Sequence, residues 1–106
     1  MENCIFCKIA NKEIPAKFIY EDEICVAFHD INPKAKTHLL IISKKHIPSV
    51  PDLMDGDQNI IGHMISKIKE IAENQGLTGY KLQINVGKDG GQEIFHFHIH
   101  LMSNQN

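Results

Sequence analysis

Hydrophobic residues recur along this chain with two different periods, and each period predicts a kind of secondary structure. Between Asp57 and Asn74, isoleucine, methionine and alanine return every three or four residues, which is typical of an amphipathic helix. Gly76 follows at the point where such a helix would end. From Thr37 to Ser43 the chain is apolar almost without interruption, and this favours a central strand over an edge strand with one wet face.

Shorter segments complete the predicted order of elements. Residues 5–10 indicate a short amphipathic turn or helix, and residues 18–20 and 24–29 indicate the two strands of a hairpin. Residues 80–86 alternate polar and apolar side chains, residues 87–91 form a glycine-rich loop, and residues 94–102 indicate a last strand. This order favours a mostly antiparallel α+β fold. Because 106 residues suffice for one packed core, we expect a single domain over residues 1–106.

Composition excludes several classes of partner. The formal net charge of −2 offers no basic surface to a nucleic acid polymer, although a mononucleotide needs only a few local donors. No segment has the pattern of a secretion signal and no apolar run is long enough to span a membrane, so we expect a cytoplasmic protein. Three cysteines, an odd number, favour reduced thiols or a metal site over disulfides.

Three of the seven histidines alternate with apolar residues near the end of the chain. In a strand, His96, His98 and His100 would share one face at intervals of about 7 Å. A neutral imidazole can attack phosphorus, and it also leaves phosphorus readily, which suits a two-step displacement through a covalent intermediate. A solvated strand face or a bare metal site would also explain the pattern. The glycine-rich loop runs into this strand, and its backbone N–H groups could approach a phosphate, although glycine pairs also mark ordinary turns.

The histidine pattern has a match among known families. Residues 96–102 resemble the His-φ-His-φ-His-φ-φ motif of the histidine triad (HIT) superfamily. Residues 5–9, 28–31, 37–42, 44–47 and 85–92 resemble, in the same order, blocks of its Hint-like nucleoside phosphoramidase branch and bacterial relatives. The resemblance implies a five-stranded antiparallel sheet with one long helix and a short N-terminal helix. It also implies a homodimer in which two sheets join into one of ten strands.

The resemblance assigns catalytic roles to four histidines. It implies that His98 is the nucleophile on the α-phosphate of a purine nucleoside 5′-phosphoramidate or related adenylate, and that His38 assists it by hydrogen bonding. His100 would orient His98, and His96 would lie beside the phosphate. His63 lies at a polar position of the predicted long helix, and we expect it to be non-catalytic.

A nucleoside pocket is implied in the same way. Asp30 would accept hydrogen bonds from the ribose hydroxyls, a role that a single carboxylate can fill for a cis-diol, although Asp30 also suits a turn before Pro33. The apolar members of the set could equally belong to the core. The predicted nucleotide-binding residues are Ile5, Phe6, Ile9, Phe28, His29, Asp30, Ile31, Leu40, Asn85, Gly91, Gln92, Glu93 and Ile94.

The cysteine pair near the start of the chain has the spacing of zinc ligands. Cys4 and Cys7 are separated by two residues, which lets two thiolates bind one tetrahedral zinc, but two ligands do not close a structural site. Some bacterial members of the superfamily combine such a pair with two histidines, and the matching positions here are His46 and His96. The resemblance therefore implies a structural zinc. Two reduced thiols beside a solvated His46 remain the alternative.

Other functions stay open at this point. The shared triad is compatible with dinucleoside polyphosphate hydrolysis, with a nucleotide-responsive interaction protein, and with a metal-binding module that uses the triad as ligands. Glu93 stands where eukaryotic relatives often carry serine, and a carboxylate there repels phosphate unless it is protonated or turned away. Six residues follow His100, fewer than in most of the phosphoramidase branch, which leaves the leaving-group preference open.

Overall fold

The structure, a computed structural model, describes residues 3–106. Their regular elements, in chain order, are α1 (Ile5–Ala10), β1 (Tyr20–Glu21), β2 (Cys25–His29), β3 (Thr37–Ser43), α2 (Asp57–Asn74), β4 (Lys81–Gln83) and β5 (His98–Ser103), with single 3-10 turns at Val50–Asp52 and Lys88–Gly90. The α+β class predicted from the sequence is confirmed. The bounds of α1, β3 and α2 also agree with the expected ones.

The five strands form one antiparallel sheet in the order β1-β2-β3-β5-β4. The central position of β3 follows from its composition, because all of its residues after Thr37 are buried. β5 pairs with β3 in a register that sets Leu40 opposite His100 and Ile42 opposite His98. The histidines of the last strand therefore stand in the interior of the sheet.

Each face of the sheet is covered by one helix. Alternate residues of a strand point to opposite faces, so Leu39 and Ile41 pack against α2 while Leu40 and Ile42 pack against α1. Ile99 belongs to the cluster on the α2 side, as its alternation with the histidines predicts. His98 and His100 are consequently directed to the α1 side.

Helix α2 ends as its sequence predicts. Gly76 adopts a left-handed conformation with φ of 72°, and its N–H donates to the carbonyl of Glu73 while that of Leu77 donates to Ala72. This pair of hydrogen bonds is a Schellman motif, which requires a residue that tolerates positive φ. Within residues 3–106, no helix combines the length and the apolar character needed to cross a membrane.

The last two strands are shorter than predicted by several residues each. β4 spans only three residues, because the chain beyond Gln83 leaves the ladder and the Asn85 amide donates to the carbonyl of Gly90. β5 begins at His98 and not near residue 94, because the N–H of Phe97 donates to the carbonyl of Ile47 outside the sheet. The predicted strand face with three histidines is therefore wrong in part, since the first of them precedes the strand.

A carboxylate fastens α2 to the turn between β1 and β2. Asp22 accepts the backbone N–H groups of Ile24 at 2.7 Å and Cys25 at 2.9 Å through one oxygen. Its other oxygen accepts from the Tyr20 hydroxyl and lies 2.6 Å from Nε2 of His63 on α2. Burial opposes ionisation of Asp22, but these hydrogen bonds outweigh it and hold the pKa of the carboxyl well below its usual range.

We expect Asp22→Asn to lower the free energy of unfolding by about 2–4 kcal/mol near pH 7, because an amide N–H would face two other donors. A carboxyl with a depressed pKa stabilises the fold above its unfolded pKa of about 4 and loses that effect as the pH falls toward the folded value. The difference in free energy of unfolding between the native protein and the variant should therefore shrink below about pH 4. Urea unfolding at pH 7 and pH 3, with the exposed Glu23→Gln as control, tests this; a difference independent of pH would contradict it.

Candidate functional site

A cleft of about 340 Å³ opens on the α1 side of the sheet. Every residue of the predicted nucleotide-binding set lines it except Gln92, together with His38, His98 and His100. Four further lining residues were not predicted: Asn32, Lys34, Gln83 and Met102. Met102 could have been found, because it continues the alternation of His98 and His100. Gln83 reaches the cleft only through its register opposite His100, which no local pattern reveals.

The inner wall of the cleft is aromatic. The Phe6 ring packs edge-on against Phe28, with centroids 6.0 Å apart, and against His98 at 5.1 Å. These residues come from α1, β2 and β5, so the wall forms only when all three elements meet. Its apolar surface suits a flat heterocycle, and its contact with His98 sets that heterocycle close to the imidazole.

The two carboxylate oxygens of Asp30 have different surroundings. One carboxylate oxygen accepts the N–H of Asn32 at 2.8 Å, as expected of a turn residue. The other lies 3.4 Å from Nε2 of His38, and the residue lines the cleft. The turn therefore uses one oxygen and directs the other to the cavity.

The orientation of His98 is fixed by its neighbour's backbone. Nδ1 of His98 lies 2.7 Å from the carbonyl oxygen of His96, which can only accept a hydrogen bond. The proton therefore sits on Nδ1, and Nε2 carries a free lone pair. Burial lowers the pKa of His98 although the carbonyl partly opposes this, so the ring is neutral at pH 7.

His38 and His100 form a pair whose tautomers can be read from their partners. The backbone N–H of Lys34 donates to Nδ1 of His38, so the proton of a neutral His38 is on Nε2. This Nε2–H donates to Nδ1 of His100 at 2.9 Å, which leaves the proton of His100 on its own Nε2. Burial lowers the pKa of His38 and lowers that of His100 to about 4.

This arrangement corrects two predicted roles. His38 bonds to His100 and not to His98, and His98 is oriented by the His96 carbonyl and not by His100. His100 instead presents an N–H donor, and its ring centroid is 5.0 Å from that of His98. The cleft thus offers a nucleophile and a hydrogen-bond donor on adjacent positions of one strand.

His96 belongs to a different cluster. Its Nε2 is 2.6 Å from the carbonyl oxygen of Ser43, so Nε2 carries the proton and Nδ1 has the lone pair. Nδ1 lies 3.2 Å from Sγ of Cys4 and 3.2 Å from Nδ1 of His46. Both ring nitrogens are engaged and the residue does not line the cleft, so the structure does not bring His96 together with His98 and His100 there.

The cluster contains all four predicted metal ligands. Cys7 completes it, with Sγ 3.2 Å from Nδ1 of His46 and 3.5 Å from Nδ1 of His96. For zinc, bonds of about 2.3 Å to sulfur and 2.0–2.1 Å to nitrogen give tetrahedral edges of roughly 3.3–3.8 Å, close to these separations. The donor set and its spacing therefore fit a tetrahedral metal site.

Gln92 acts on the loop and not in the cleft. Its Oε1 accepts from the Ser49 hydroxyl at 2.7 Å and from the N–H of Gly87 at 2.9 Å. Its Nε2 donates to the carbonyls of Pro48 and Ile94. The side chain is buried with these hydrogen bonds made inside the protein, and it does not line the cleft as the other predicted nucleotide-binding residues do. It fixes the loop that carries Gly91 and Glu93, a role that no sequence pattern indicated.

Comparisons with known proteins agree with this geometry. The family model described as "Scavenger mRNA decapping enzyme C-term binding" matches residues 3–106. Protein HitA of Neisseria gonorrhoeae is 55% identical over 103 residues, covering 96% of each chain. A HIT family hydrolase from Legionella pneumophila is 46% identical with a TM-score of 0.93, covering 98% of this chain and 95% of that one.

A further solved structure bears on the metal site. It is a Zn-bound histidine triad family protein from Mycobacterium smegmatis, 31% identical with a TM-score of 0.83, covering 99% of this chain and 77% of that one. The matches extend over nearly the whole chain. The chain therefore belongs to the histidine triad superfamily.

Proposed function

We propose that this chain is a nucleotide hydrolase that cleaves purine nucleoside 5′-phosphoramidates or related adenylates through a nucleotide bound covalently to His98. The observation that carries the proposal is the hydrogen bond from Nδ1 of His98 to the His96 carbonyl, which leaves Nε2 free as a nucleophile. The cleft beside it combines an aromatic wall with a carboxylate, as a nucleoside requires. The Legionella relative is called a hydrolase, which supports the reaction class.

The reaction has two balanced steps. The Nε2 lone pair of His98 attacks the α-phosphorus, the P–N bond breaks, and the nitrogen takes up a proton from solvent and departs as an amine. Water then attacks the same phosphorus, the bond to Nε2 breaks, and the nucleoside monophosphate leaves while the attacking water releases a proton to solvent. His98 returns to its neutral form with the proton still on Nδ1.

Other residues bind and position the substrate. The Nε2–H of His100 donates to a phosphate oxygen, and His38 keeps this tautomer in place through its hydrogen bond to Nδ1 of His100. The free oxygen of Asp30 accepts from the ribose hydroxyls, and the wall built on Phe6 and Phe28 packs against the purine.

We propose that Cys4, Cys7, His46 and His96 hold a structural zinc. Four protein ligands would fill the positions that zinc takes in structural sites, so the ion would have no open position for substrate and would take no part in the chemistry. When bound, it supplies a rigid cross-link between α1, the segment after β3 and the entrance of β5. The zinc-bound mycobacterial relative supports this assignment.

We also propose a homodimer in which the β4 strands of two protomers pair. β4 is an edge strand whose three residues are exposed. Apolar side chains around it are exposed by similar fractions: Tyr80 38%, Leu82 41%, Ile84 40% and Val86 38%. Such an edge favours pairing with another strand.

Light scattering should give twice the 12.0 kDa mass of one chain, and Leu82→Arg should give the single mass because it places charge on the pairing edge. Circular dichroism checks that the variant is folded. If the native protein had the mass of one chain at about 100 µM, this result would contradict the dimer.

The experiment that tests the proposed reaction is release of amine from an adenosine 5′-phosphoramidate. Denaturing the protein during turnover at alkaline pH, where the bond between phosphorus and imidazole survives, should trap adenylate on the protein, because the intermediate is covalent. Nucleotide binding without amine release would contradict the proposal and favour an interaction protein.

A further inference from the structure

We propose that Glu93 makes the cleft selective for substrates whose leaving group carries positive charge, so that the substrates are adenylated amines with a second cationic group. This inference rests on the proposed function and narrows its substrate class. It is based on the charges that line the cleft, the accessibility of Glu93 and the rigidity of its loop.

The permanent charges that line the cleft sum to a negative value. They are the carboxylates of Asp30 and Glu93 and the ammonium of Lys34. His38 and His100 add no positive charge at neutral pH, since burial lowers the pKa of both. A polyphosphate substrate would bring several more negative charges into this field, whereas a phosphoramidate brings one.

The charge of Glu93 is available to a ligand. Within residues 3–106 its carboxylate forms no ion pair, and the residue is exposed. Glu93 lines the nucleotide cleft and also a second cavity of about 520 Å³ beside it. Open space therefore borders the residue on two sides, and no protein group neutralises it.

The position of Glu93 is also fixed. The neighbouring Gln92 side chain is buried and bonds to the Ile94 carbonyl on one side and to the Gly87 N–H on the other. The backbone that carries Glu93 is thus held against the turn at Pro48 and Ser49. The Glu93 side chain therefore extends from a backbone that is held in place, and it lines the same cleft as His98.

The test uses two adenosine 5′-phosphoramidates of equal chain length, one made from butylamine and one from 1,4-diaminobutane. The native protein should show a kcat/KM about twofold to fivefold higher for the diamine compound, the range that an exposed ion pair contributes. Salt should reduce this ratio. In Glu93→Gln the ratio should fall to about one. The kcat/KM for diadenosine tetraphosphate should also rise in this variant, relative to the kcat/KM for the butylamine compound.

The matched control is Glu73→Gln, which removes the same charge from the exposed surface of α2 on the opposite face of the sheet. It should leave the ratio at its native value. A native ratio near one, or a preference that persists in Glu93→Gln, would overturn the proposal.

Binding measurements test charge selection by Glu93 independently of the proposed hydrolysis. Calorimetry with the two compounds and the His98→Ala protein measures the charge preference without turnover. Tighter binding of the diamine compound with no hydrolysis by the native protein would refute the reaction and support charge selection. Equal affinities would refute charge selection whether or not hydrolysis occurs.

Discussion

Replacing His98 by alanine should lower kcat for adenosine 5′-phosphoramidate hydrolysis by at least about a thousandfold, because the variant has no group that can form the covalent intermediate. Nε2 of His98 is the free lone pair that faces the cleft, while His38 and His100 are bonded to each other and His96 is engaged outside it. The imidazoles of His38, His96 and His100 are therefore not placed to substitute. Steady-state amine release measures the loss, and the adenylate trapped on the native protein by alkaline denaturation should be absent from the variant.

The His98→Ala protein must be shown to be folded, since the ring also packs against Phe6. Thermal unfolding and nucleotide affinity serve this purpose. His63→Gln is a useful comparison, because it removes a histidine that bonds to Asp22 away from the cleft, and it should cost stability with a far smaller change in kcat. Turnover by His98→Ala within tenfold of native would show that another group is the nucleophile.

Removing zinc should have the largest effect on stability. Binding of an ion to the folded state alone stabilises it in proportion to the logarithm of the ratio of ion concentration to Kd, about 4 kcal/mol at a thousandfold ratio. The native protein should contain one zinc per chain by elemental analysis. Chelation or Cys7→Ser should lower the melting temperature by many degrees, and added zinc should restore it only after chelation.

Cys25→Ala is the control for the zinc measurement, because Cys25 is a buried thiol outside the four-residue cluster. It should keep the full zinc content even if it costs some stability. Native protein that contains no zinc, and takes up none from solution, would contradict the site. Turnover should also fall after chelation, since the His96 carbonyl orients His98, but the metal content and the melting temperature decide the matter.

The elements with a clear pattern of hydrophobic residues could be predicted from the sequence. The period of α2 and the apolar run of β3 each report burial directly, and Gly76 marks a position that requires positive φ. The start of β5 could not be predicted, because alternation continues through Phe97 whether its N–H bonds to a strand or to Ile47.

The candidate site could be predicted as a set of residues but not as a set of contacts. The triad motif indicated His98, whereas the pairing of His38 with His100 depends on which strands are adjacent and in which register. Gln92 was misassigned for a similar reason, since its partners at Pro48 and Ser49 are more than forty positions away. Contacts between distant segments leave no trace in the local pattern of residue types.

The four-residue cluster of Cys4, Cys7, His46 and His96 is joined to His98, and this limits how such sequences can vary. His96 contributes its ring to the cluster and its carbonyl to His98, so one residue belongs to both. A substitution at Cys4, Cys7 or His46 would disturb the position of that carbonyl and therefore cannot be neutral for turnover. Homologues that lack one of the four ligands should then lack the others as a group, with apolar side chains filling the space and keeping the carbonyl of residue 96 in place.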